Sequence, residues 1–193
     1  VPVLLRIFSG IQPNSAMLFY RKIRQFIGHH PALYADEVFD GAAELDESCF
    51  GGRRKGKRGS GAVGKMAVSG ILKRQGKVFA LVADNTEQET LLTVIKRKIM
   101  PDSIVYTDFC KNCDVPDVSR FAHLRINHSK LFADRQNHIN GIENFWNQAK
   151  HTLRKYNGID RKSFPLFLKE CGVGFNFGTP GGQLKTLRKW CGI

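Results

Sequence analysis

The four residues Lys73-Arg74-Gln75-Gly76 separate two runs of β-forming residues, Lys65 to Leu72 and Lys77 to Ala83, and they constrain the fold more than any other stretch. A link this short, closed by glycine, turns the chain back beside itself, so the two runs pair as an antiparallel hairpin. Glu44 to Phe50 reads as a strand before them, and Ser103 to Asp108 as a fourth strand after them. Between these, Thr86 to Ile99 has helical spacing, with Leu91, Leu92, Ile95 and Ile99 on one side and Lys96, Arg97 and Lys98 on the other. Residues 109–136 read as irregular. Asn140 to Tyr156 is the longest expected helix, with an apolar stripe of Ile142, Trp146, Ala149, Leu153 and Tyr156. Helices over Ser163 to Phe175 and Gln183 to Trp190 follow. Three antiparallel strands, a helix, another strand and later helices predict an α/β mixed sheet with packed helices rather than repeated parallel βαβ units.

Three acids occupy three local contexts in this layout. Asp46 lies in the middle of an apolar strand, Asp108 ends another, and Glu143 falls in the first turn of the long helix. Each has an ordinary reading by itself. Asp46 could face solvent, Asp108 could stabilise a turn, and Glu143 could answer an N-cap at Asn140 in a capping box. Together they offer hard oxygen donors to divalent cations. Two Mg²⁺ ions about 3.5–4 Å apart, held by such a trio and by phosphate oxygens, activate a water or a 3′-hydroxyl and stabilise the leaving oxygen. Bound metal also relieves the repulsion among carboxylates held close together.

The rest of the chain has the charge of a phosphate-binding protein. Of 193 residues, 30 are Lys or Arg and 17 are Asp or Glu, a net charge of +13, which suits a polyanionic partner such as DNA or RNA. Lys150 follows Glu143 by two helical turns and shares its face, with Asn147 and Arg154 on the same stripe. Cations there can fix a phosphate backbone beside the metals, although a solvated basic helix face has the same pattern. The glycine-rich run Gly51 to Gly64 carries Arg53, Arg54, Lys55, Lys57 and Arg58, again suited to DNA phosphates or to plain solvation. Its GxGxxG match leads into a strand rather than a helix, which excludes a dinucleotide fingerprint.

Residues 13–28 read as a helix with Pro13 in its first turn and Asn14 or Gln12 as cap. Met17, Leu18, Ile23, Phe26 and Ile27 lie on one side, with Arg21 and Lys22 near the other. With the preceding turn it resembles the second half of a helix-turn-helix, or else a basic amphipathic helix packed on a neighbour.

Five scattered cysteines suggest a reducing cytosol rather than a disulfide framework. Cys110 and Cys113 have the spacing of a zinc pair that no second pair completes. His123, His128 and His138 fit surface or packing roles. No apolar run reaches membrane-spanning length. The chain opens on Val1 rather than Met, which reads as a start lost upstream.

The order of segments LDESCFGGRRKGKRG, VYTD and NHSKLFADRQNHINGIENFWNQAKHTLRKYNGI, with the later FPLFLKEC and FGTPGGQLKTLRKW, resembles compact DDE transposases of bacterial insertion sequences, of the Xanthomonas-type element family. INGIENFW followed by Lys150 is its most specific piece. The resemblance implies an RNase H-like catalytic domain over 42–178, after a partial helix-turn-helix DNA-binding segment (1–30) and a linker (31–41), with a basic tail at 179–193. It implies that Asp46, Asp108 and Glu143 are catalytic and hold Mg²⁺, with Mn²⁺ as a substitute, and that Lys150 accompanies the third acid. The implied reaction is cleavage at element ends followed by attack of the freed 3′-hydroxyl on target DNA. Its partners would be double-stranded terminal repeats and target DNA, with no membrane, in a homodimer or higher assembly within the bacterial cytoplasm and nucleoid. An inactive DNA-binding remnant and an RNase H-like nuclease are the alternatives. The residues at Cys110 to Cys113 depart from the aromatic and glycine residues expected after the second acid, and no zinc ribbon precedes the helix.

Overall fold

In the computed structural model, the described residues are 10–30, 39–51, 65–83, 98–100, 103–108, 122–126, 139–156 and 158–193, with backbone alone at 108 and 122–126. The chain order is α1 (Pro13–His29), β1 (Ala42–Phe50), β2 (Met66–Lys73), β3 (Val78–Ala83), β4 (Ile104–Asp108), β5 (Ala122–Ile126), α2 (Asn140–Leu153), α3 (Phe164–Phe177) and α4 (Pro180–Cys191). The strands form one five-stranded sheet in the order β3-β2-β1-β4-β5. β1, β2 and β3 are antiparallel, whereas β4 and β5 run parallel to β1. This is a mixed α/β architecture of RNase H-like type.

The hairpin forms where the short link demands it. Gly76 N–H donates to the carbonyl of Lys73, and Gln75 takes the left-handed conformation (φ 58°) that closes the turn. Alternation along the strands divides the core into two faces. Ala43, Leu45, Ile71 and Val105 pack with Phe39 and Ile99 on one face. Phe50, Val68, Leu72, Val78 and Tyr106 pack on the other against Ile142, Phe145, Trp146 and Ala149 of α2 and Leu168 of α3. The i, i+3, i+4, i+7 spacing of those α2 residues is what lays the helix on the sheet. Each fully buried large side chain contributes about 1.5–3 kcal/mol.

α2 lies over β1 and β2, and α3 lies over β3 and beside α2. The side-chain amide of Asn176 on α3 exchanges two hydrogen bonds with the backbone of Val78 (2.8 and 3.0 Å), covering part of the β3 edge. Helix α1 packs chiefly on α3, and His30, just past its end, stacks on Trp190 of α4. No helix among the described residues is long and apolar enough to cross a membrane.

Several expectations are corrected. Five of the residues read as irregular form the strand β5; their apolar alternation covers only Ala122, Leu124 and Ile126, too short to register as a pattern. On α1 the buried side carries Ala16, Arg24, Ile27 and Gly28, whereas Met17, Leu18 and Phe19 are exposed. Apolar periodicity misplaced this seam because its central residue is an arginine. The guanidinium of Arg24 is paired with Glu170 (2.6 Å), donates to the Tyr156 hydroxyl (3.2 Å) and lies over the Phe167 ring. Before the sheet, the described residues contain this one helix. Most of the expected 86–99 helix lies outside the described residues, as do Cys110, Cys113, His128 and His138.

Candidate active site

The geometry around Asp46 is built by three contacts that recur along β1 as α2 runs beside it. At the first level Glu44 Oε2 accepts from the backbone N–H of Ile142 (2.9 Å). At the second, Asp46 Oδ2 accepts from the indole N–H of Trp146 (3.0 Å). At the third, the Lys150 ammonium lies 5.6 Å from the centre of the Phe50 ring. Glu44, Asp46 and Phe50 share one face of the strand because side chains alternate with period two.

The expected capping box at Asn140 does not form. The N-cap position is Ile139, with no side-chain cap bond, and the helix amide is satisfied instead by Glu44 from the sheet. That carboxylate is 2% exposed; its other oxygen, Oε1, meets Arg74 Nε at 3.2 Å, and Arg74 lies 3.7 Å over the ring of Tyr106. Glu143 in the first turn is exposed rather than engaged in a cap.

Asp108 enters through the sheet register. The parallel β1–β4 pairing runs from Ala42↔Ile104 to Leu45↔Thr107, and Asp46 and Asp108 are the residues that follow this last pair on their strands. The Asp108 backbone ends β4, opposite Ile126 of β5. Phe145, on one flank of α2, meets Phe175 of α3. The helical repeat puts Glu143 and Lys150 on the opposite flank, turned away from α3 and β3 toward the β1–β4 side of the sheet. Asp46 thus lies mid-strand on the face of β1 that α2 covers, and the Asp108 backbone closes the parallel strand next to it. Two aspartates and a glutamate are the hard donors that suit Mg²⁺. Among the described side chains, which exclude that of Asp108, no group of three or more His, Cys, Asp or Glu is gathered for a metal.

Lys150 and Arg154 are exposed along and just past α2, and Arg21 and Lys22 are exposed on α1. Lys150 sits over Phe50 of the same strand face as Asp46, Arg154 follows one turn later at the end of α2, and the second pair stands on a helix carried by α3. Arg53, Arg54, Lys55, Lys57 and Arg58 lie outside the described residues. Sequence reading missed Glu44 as an anchor and Trp146 as a donor. A charged residue in the inward-facing set of a strand was the available signal for Glu44.

Comparison with known proteins matches residues 38–176 to a family model described as the ISXO2-like transposase domain. A transposase-like protein of Haemophilus influenzae is similar, 50% identical over 113 residues that make up 58% of this chain and 92% of that protein.

Proposed function

This chain belongs to the ISXO2-like transposase domain family, and we propose that it cuts the ends of an insertion sequence and joins them to target DNA by metal-dependent phosphoryl transfer. The observation that supports this reading is the parallel β1–β4 register, whose last pair, Leu45↔Thr107, immediately precedes Asp46 and Asp108, together with the exposed Glu143 in the first turn of the helix packed on β1. The resemblance of INGIENFW and Lys150 supports a parent element of the compact Xanthomonas type.

In this reading Asp46, Asp108 and Glu143 hold Mg²⁺, or Mn²⁺ in its place. When bound, the metal lowers the pKa of an attacking water or 3′-hydroxyl and stabilises the leaving oxygen. Trp146 fixes one oxygen of Asp46, so the carboxylate does not rotate as the substrate arrives. Lys150 and Arg154 bind phosphates beside the acids, while Arg53, Arg54, Lys55, Lys57 and Arg58 extend that contact along the duplex. Arg21 and Lys22 add a separate basic surface. In the first step water forms a bond to phosphorus at the element end and the 3′-oxygen departs as a hydroxyl. In the second, that hydroxyl attacks a target phosphodiester and displaces the target's own 3′-oxygen. Each step exchanges one P–O bond for another. Joining two ends calls for at least a dimer, working on the bacterial nucleoid.

The test is a strand-transfer assay with a labelled terminal repeat in Mg²⁺. Joined product that disappears on Asp46→Ala supports transposition. Cutting without joining favours a nuclease, and DNA binding alone favours an inactive remnant.

A further inference from the structure

Glu44 is a buried carboxylate that the reaction does not use. We infer that it is a positioning residue: by capping the first turn of α2 from within the sheet, it fixes Glu143 relative to Asp46. This rests on the reading of Asp46, Asp108 and Glu143 as metal ligands.

Ile142, whose amide Glu44 holds at 2.9 Å, immediately precedes Glu143. The remaining α2 contacts on the sheet are mostly apolar, through Ile142, Trp146 and Ala149. Such contacts resist separation but have little direction along the helix axis, whereas a hydrogen bond does. Carboxylate at a helix N-terminus is also favoured by the helix dipole. Arg74 keeps the anchor from turning, since it meets Oε1 and is itself held over Tyr106, the residue directly across from Glu44 in β4. The helix can come this close because residue 141 is glycine. A Cβ there would lie 2.9 Å from Glu44 Oε2 and would collide with Leu72. Glu44 and Asp46 are two residues apart on one strand, so one rigid segment sets both the first acid and the helix that carries the third.

The experiment compares full-length wild type with Glu44→Ala, Glu44→Gln, Gly141→Ala and the control Asp46→Asn. Mn²⁺ binding is read from the loss of the free-ion EPR signal, well below each melting temperature, alongside DNA affinity and strand transfer. Glu44→Ala and Gly141→Ala are expected to weaken Mn²⁺ binding about 10-fold or more and to raise the Mg²⁺ needed for joining, with DNA affinity unchanged. Glu44→Gln, whose amide oxygen still accepts from Ile142 but whose NH2 then faces the Arg74 donor, is expected to recover part of the loss. Gly141→Ala replaces glycine by a better helix former, so weakened metal binding there would come from the displaced anchor rather than a poorer helix. Wild-type Mn²⁺ affinity in folded Glu44→Ala overturns the inference; if that variant does not fold, the same result in Gly141→Ala overturns it. Should Asp46→Asn also bind like wild type, the underlying metal reading fails, and Glu44's role with it.

Discussion

Gly70 stands directly across the β1–β2 ladder from Asp46, and the space left by its missing side chain is filled by the indole of Trp146. A Cβ at this position would come within 2.7 Å of two indole carbons and 3.1 Å of Ile142. The glycine is therefore what lets Trp146 reach the carboxylate. Gly70→Ala is expected to cost about 1–3 kcal/mol through overpacking and to shift tryptophan emission as the indole moves. Thermal melting and fluorescence check this together, and an unaltered spectrum would contradict it.

Trp146→Phe removes the N–H that Asp46 accepts together with the ring carbons that fill the space over Gly70. Groups that orient a metal ligand typically matter about 10–100-fold in metal affinity or activity. Strand transfer at limiting Mg²⁺ is expected to fall in that range, with a stability loss of about 1–3 kcal/mol from the lost bond and the cavity together. Equal losses in stability and activity would assign the indole to packing alone.

Arg24→Ala tests how firmly α1 is attached. An exposed ion pair gives less than about 1 kcal/mol. Arg24 is mostly buried, shielded by Phe167 and Tyr156, so a loss of about 2 kcal/mol is expected by denaturant titration. Strand transfer by the folded protein should stay near wild type, because Arg24 and its partners Glu170, Tyr156 and Phe167 are none of the residues assigned to the reaction.

The thiol of Cys171 is pushed up to about 12, first by burial and then by the negative charge of Glu170. Native protein at pH 8 should therefore alkylate at the exposed Cys191 well before Cys171, as read by peptide mass spectrometry. The same shift carries a stability sign. Above pH 9 the unfolded chain releases a proton that the folded chain keeps, so stability falls as pH rises toward 12. Cys171→Ser should reduce that fall.

Much of this architecture was legible because it is local. The hairpin needed only Lys73 to Gly76, and α2 only the spacing of Ile142, Trp146 and Ala149. The contacts that shape the site join residues about a hundred positions apart, Glu44 to Ile142 and Asp46 to Trp146. No periodicity encodes these, since the indole donor and the helix amide look like ordinary core and backbone until the sheet is assembled. Arg24 failed to register for a related reason. Its partner Glu170 makes an arginine acceptable in a buried seam, and hydrophobic spacing counts it as surface. The parallel β1–β4 register, which pairs Leu45 with Thr107 one step before the two aspartates, likewise depends on a crossover rather than a local turn.

The central claim is that Asp46, Asp108 and Glu143 bind metal at one point. Anomalous diffraction from crystals of the full chain grown with end DNA and Mn²⁺ tests it most directly. Anomalous peaks contacted by oxygens of all three side chains, at about 2.0–2.3 Å as for hard cations, are expected. Peaks that leave any one of the three out of reach would contradict it.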